Sequence, residues 1–99
     1  MAVKSLVSDK PRLVFFHSSV SGRCRRVEGY LAHVLQHRRN HDTFELLRVA
    51  EEERPDLLER FAVASLPTII VVEGTRVRAR LEQPRGARQI EGFLAPWLN

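Results

Sequence analysis

Residues Phe15 to Arg26, reading F-F-H-S-S-V-S-G-R-C-R-R, constrain the fold of this chain more than any other stretch. An apolar run, Leu13 to Phe16, stops at a small polar patch, and a helical pattern begins around Gly22. Arg12 to His17 is short and rich in apolar residues, and reads as a buried central strand. From Gly22 to Arg38 the residues Cys24, Val27, Leu31, Val34 and Leu35 form one stripe at about 100° per residue, which predicts a helix. Ser21 stands where its side chain can cap the free N–H groups of that helix. Arg38 and Arg39 suit its negative end, and Asn40 is the expected stop. A strand running straight into a helix through a polar corner points to an α/β domain.

The rest of the chain repeats this alternation. Thr43 to Ala50 reads as a second buried strand, and Glu51 to Glu53 as an acidic turn. Pro55 opens a helix through about Phe61, with acids near its positive end. Thr68 to Val72 is a run of β-branched residues, expected to be a strand buried on both faces. Glu73-Gly74-Thr75 reads as a hairpin turn. Arg76 to Glu82 alternates, with Val77, Ala79 and Leu81 on one face and charges on the other, so it is expected to be half exposed. Ile90, Phe93, Leu94, Trp97 and Leu98 mark a last helix, which Pro96 should end near Phe93 or Leu94. The order is β-α-β-α-β-β-α. Strands joined through helices are expected to be parallel, with right-handed crossovers.

Composition narrows the function classes. Ninety-nine residues suggest one domain, with 43% apolar and 28% charged residues, as in a globular protein. No apolar stretch is long enough to cross a bilayer or to serve as a signal peptide, so a soluble, cytoplasmic protein is the expectation. A single cysteine excludes a disulfide within these residues. The net charge is +4, with fourteen arginines against two lysines. The arginines are interleaved with twelve acids, which is the pattern of a solvated surface. The ladder Arg76, Arg78 and Arg80, with Arg12 or Arg48, would make a basic patch. It lacks the interleaved aromatics of a single-strand binder, so nucleic acid is not expected. His33, His37 and His41 are spaced by four, but no cysteine or carboxylate completes a metal set. No metal or cofactor is called for.

Two segments together resemble the thioredoxin family. The corner Val20-Ser21-Gly22-Arg23-Cys24-Arg25 is similar to its W-C-G-P-C-K motif, and Leu66-Pro67-Thr68 is similar to its I-P-T segment with a cis proline. The resemblance covers residues 11–99 and implies a mixed sheet of four strands flanked by helices. A fifth strand would be added if residues 1–10 form an edge strand rather than a tail. Ten residues have little room for the strand and helix that open longer members, which need about fifteen to twenty.

The resemblance places Ser21 and Cys24 at the two catalytic motif positions. The family's chemistry uses a thiolate at the helix N-terminus and a second cysteine that resolves the mixed disulfide. A serine hydroxyl forms no disulfide, so dithiol turnover by these residues is excluded. The buried acid that members carry beneath the second cysteine is matched by Phe15, and the two tryptophans before the motif by His17 and Val20. His17 is within reach of pairing with Ser21 or Cys24 in principle. The residue before the cis proline, here Leu66, pairs with an extended substrate peptide in the family, and this needs no thiol. A groove of Val20, Ser21, Gly22, Arg23, Leu66 and Pro67 is therefore the expected binding site for a protein or peptide. Three readings follow. One is a partner-binding protein without the dithiol site. Another is a single-cysteine redox protein acting through mixed disulfides of Cys24 with glutathione or a protein. The third is a basic module for an acidic partner. A monomer or weak dimer fits each.

Overall fold

The computed structural model describes residues 10–98. The expected tail or edge strand of residues 1–10 falls, except for Lys10, outside the described residues. The elements are β1 (Arg12–His17), α1 (Gly22–Gln36), a 3-10 helix (His37–Asp42), β2 (Glu45–Ala50), α2 (Pro55–Arg60), β3 (Thr68–Glu73), β4 (Arg76–Glu82) and α3 (Ala87–Leu94). One four-stranded sheet has the order β2-β1-β3-β4. β1 and β2 are parallel, while β1 with β3 and β3 with β4 are antiparallel.

The central strands β1 and β3 are buried on both faces, and their period of two divides the core. Leu13, Phe15, Ile69 and Val71 face one way, packed with Val27, Leu31 and Val34 of α1 and Ile90 and Leu94 of α3. Val14, Phe16, Ile70 and Val72 face the other way, against Leu57, Leu58 and Phe61 of α2 and the segment after it. The sheet is thus a middle layer between helices. Each fully buried Phe, Leu, Ile or Val contributes about 1.5–3 kcal/mol, so the two central strands supply a large share of the core's stabilisation.

Four expectations are corrected. β3 runs antiparallel to β1 and β2, although a helix precedes it. β2 ends at Ala50 beside His17, and β3 begins at Thr68 beside Phe16, so the connection starts and ends at one edge of the molecule. A parallel β3 would begin a strand length away, about 20 Å. The six-residue α2 spans only about 9 Å. β2 is an edge strand with an exposed middle rather than a buried one, because β1 is its sole neighbour and only Val49 and Ala50 are buried. In β4, Ala79 pairs with Val71 but Val77 pairs with Val72, so Arg78 is an extra residue. This bulge breaks the alternation and leaves Val77 48% exposed. Finally, α1 ends at Gln36 rather than Arg38 and the chain tightens into the 3-10 helix. The buried Asn40 lies within that turn and donates its side-chain N–H to the His37 carbonyl at 2.6 Å.

Other expectations hold in detail. Gly74 turns the β3–β4 hairpin at φ +63°, a conformation glycine adopts freely. Pro55 opens α2, and Asp56 in its first turn pairs with Arg54 at 2.9 Å. α3 stops at Leu94, two residues before Pro96. Among the described residues no helix is long and apolar enough to cross a membrane.

Candidate functional site

The corner between β1 and α1 is built by short polar residues that satisfy its backbone. Ser21 is the N-cap, in extended conformation at φ −94° and ψ 123°, and its Oγ accepts from the Cys24 N–H at 3.2 Å. The Ser21 N–H donates to the Ser18 carbonyl at 3.2 Å. Cys24 points inward on the apolar stripe of α1 and is 2% exposed. Its Sγ accepts from the Ser18 N–H at 3.4 Å. Val20, at the tip of the corner, is 84% exposed.

Pro67 reaches the same end of the sheet because Thr68 pairs with Phe16, the last residue but one of β1. The Leu66–Pro67 peptide bond is cis. Thr68 Oγ1 donates to the Ser65 carbonyl at 2.7 Å, and the Pro67 carbonyl accepts from the Gln83 N–H at 2.8 Å. The Gln83 side-chain amide donates to the Leu66 carbonyl at 3.3 Å. The topology therefore gathers the corner, the Leu66–Pro67 bend and the loop after β4 at one end of the sheet.

His17 does not pair with Ser21 or Cys24. Its ring stacks on Phe15, with centroids 5.2 Å apart and planes 14° from parallel. A cleft of about 290 Å³ beneath the corner is lined by His17, Ser18, Ser21, Cys24 and Glu28 among others. Phe15 is buried in the core, a ring with no proton to exchange.

Two residues of this site were not singled out from the sequence. Glu52, read only as part of an acidic turn, accepts from the Ser19 N–H at 3.0 Å and from the Ser19 hydroxyl. Those bonds, the hydroxyl's first, hold its carboxyl below the usual glutamate value. Gln83 adopts φ +48° and closes over the carbonyls beside Pro67. The signal for Glu52 lies in the parallel pairing of β1 and β2, which sets the residues after Ala50 beside those after His17. Gln83 carries no comparable signal.

The basic ladder of β4 is not an open patch. Arg78 pairs with Glu73 at 3.1 Å, and Arg80 donates to the carbonyls of Ala62 and Phe61 at the end of α2. Arg12 and Arg48 pair with Glu45 and Glu28. His33 and His37 are exposed, and the side chain of His41 lies outside the described residues. Among the described residues no three His, Cys, Asp or Glu side chains are gathered to hold a metal ion.

A family model for thioredoxin matches residues 2–96. The chain belongs to the thioredoxin family. It is 29% identical over 96 residues to thioredoxin from Alicyclobacillus acidocaldarius, covering 97% of this chain and 90% of that protein. It is 32% identical over 81 residues to the bifunctional thioredoxin reductase/thioredoxin of Mycobacterium leprae. That match covers 82% of this chain and only 17% of the bifunctional protein's length. The fold is similar to the germline-specific thioredoxin Deadhead of Drosophila melanogaster, with a TM-score of 0.78, 20% identity, and 98% and 90% of the two chains covered. As a thioredoxin domain, this chain carries one sulfur at the corner where dithiol chemistry needs two. Ser21 supplies a helix cap and Cys24 a buried thiol.

Proposed function

We propose that this thioredoxin-family domain works without a dithiol site and binds a protein or peptide partner. Its groove is formed by Val20, Ser21, Gly22 and Arg23 on one side and Leu66 and Pro67 on the other. The observation that carries the reading is Val20, a large apolar side chain 84% exposed at the tip of a corner whose sulfur is buried. An exposed apolar tip beside the Leu66–Pro67 bend suits an extended peptide, which would pair with the Leu66 backbone once the Gln83 side chain leaves the Leu66 carbonyl. Glu52 supports the reading by holding Ser19 and so the loop on which Val20 sits.

The test has two arms. Insulin disulfide reduction with a dithiol regenerating system should show no turnover above the reductant alone, and appreciable turnover would overturn the proposal. Peptide-display selection on the immobilised domain should return extended sequences whose binding is lost in Val20→Asp. Selected sequences that bind Val20→Asp equally well would place the binding surface elsewhere.

A second reading, a single-cysteine protein acting through mixed disulfides, draws support from the Ser18 N–H directed at the Cys24 sulfur. It requires solvent or a partner thiol to reach a side chain that is 2% exposed. A mixed disulfide formed by exchange with oxidised glutathione under native conditions, with release of one reduced glutathione, and lost in Cys24→Ser, would favour it over the first.

A further inference from the structure

A second and larger cleft, of about 720 Å³, lies between α1 and the loop that follows β4. Arg23 and Arg26 of α1 and Arg85 of the loop line it, with Tyr30 and a single carboxylate, Glu82. None of these three guanidinium groups has a carboxylate partner among the described residues. The contrast is with Arg12, Arg48, Arg54 and Arg78, each of which has one. Other arginines, Arg25, Arg60, Arg76 and Arg88 among them, also lack a carboxylate partner among the described residues, but only Arg23, Arg26 and Arg85 are gathered across one concavity. Like charges held together raise the local potential, and a walled cleft focuses it. A guanidinium fork takes a carboxylate through two parallel hydrogen bonds, which makes arginine suited to acidic side chains. The cleft also adjoins the residues of the proposed groove, since Arg23 lines it and Gln83, another lining residue, donates to the Leu66 carbonyl.

We propose that this cleft binds the carboxylates of an acidic peptide segment, and so sets the charge of what docks beside Pro67. The second clause rests on the groove reading; the first does not. A segment running along Leu66 would carry Asp or Glu residues on the side toward α1, where Arg23, Arg26 and Arg85 receive them.

The experiment uses the isotope-labelled domain at low salt and two blocked peptides. Both share an alternating Val-Thr half, and one continues in glutamates while the other continues in glutamines. The glutamate peptide should bind about tenfold more tightly, as expected for a few charge-assisted hydrogen bonds at an exposed site. It should also shift the amide resonances of Arg23, Arg26, Gln83 and Arg85. The double substitution Arg26→Glu/Arg85→Glu should abolish the difference, while Arg60→Glu/Arg76→Glu, with the same change in net charge, should preserve it. Equal affinities, or equal loss in both double variants, would overturn the inference. If both peptides shift Val20, Ser21 and Leu66 with equal affinity, the groove stands and the cleft falls. If the glutamate peptide shifts only the cleft residues, the cleft stands and the groove reading falls.

Discussion

At the scale of single residues, the corner is held by side chains whose chemistry is acceptance of N–H groups. Ser21 satisfies one of the free donors of α1 through the Cys24 N–H. Ser21→Ala should therefore cost about 1 kcal/mol in urea unfolding, with an unchanged denaturant slope, and Ser21→Asp should largely retain the stability. A loss well under this in the alanine variant would mean that the cap is not what Ser21 contributes. Glu52 makes the other prediction. Its carboxyl is held below the usual glutamate value, first by the Ser19 hydroxyl, then by its own backbone N–H and that of Ser19. A carboxylate depressed in the folded state stabilises the fold above its unfolded value, and this contribution is lost as pH falls through the folded one. The Ser19 amide resonance should titrate with a midpoint below the ordinary glutamate range, and Glu52→Gln should remove that titration. A midpoint at the ordinary value would show that the carboxylate does not hold the loop. The Ser21 cap was legible from residue type and place, but the Glu52 bond was not, because Ser19 and Glu52 are separated by 33 positions.

At the scale of elements, sequence patterns identified each strand and α-helix, while the 3-10 helix, the ends and the directions came from the structure. α2 is the clearest case. It leaves the helix through Ala62 at φ +54°, with the Val63 N–H returning to the Leu58 carbonyl at 2.8 Å. A non-glycine residue in the left-handed region bears a steric cost of about 1–2 kcal/mol. Ala62→Gly relieves it at some loss of unfolded-state restriction, so a net gain of about 0.5–1 kcal/mol is expected in thermal or urea unfolding. A destabilised variant would show that the Ala62 methyl group contributes packing that outweighs the strain. The bulge at Arg78 belongs to the same scale. The alternation of β4 was legible, but the extra residue was not, since it follows from pairing with β3.

At the scale of the whole molecule, two cores on opposite faces of one sheet decide what solvent can reach. Cys24 is turned inward from the N-terminal turn of α1 and is 2% exposed, so little of its sulfur is open to a reagent in the folded state. Alkylation of native protein should be at least about a hundredfold slower than in urea, because labelling then waits on a local or global opening. Native labelling as fast as in urea would place the sulfur at the surface and turn attention to single-cysteine chemistry. The same packing sorts the arginines. Strands and helices brought from distant parts of the chain give Arg12, Arg48 and Arg78 their acidic partners, and leave Arg23, Arg26 and Arg85 together across a cleft.

The sequence by itself determined the element order, the corner between β1 and α1, the burial of the central strands and the single cysteine. These depend on residue type and on spacing within a few turns, where period-two and period-3.6 patterns record which face is apolar. Only the tertiary structure decided the direction of β3, the edge position of β2, the bond from Ser19 to Glu52 and the closure of Gln83 over Leu66. It also decided which arginines are neutralised. Each of these depends on pairing between segments remote in the chain, and a short-range pattern carries no record of its distant partner.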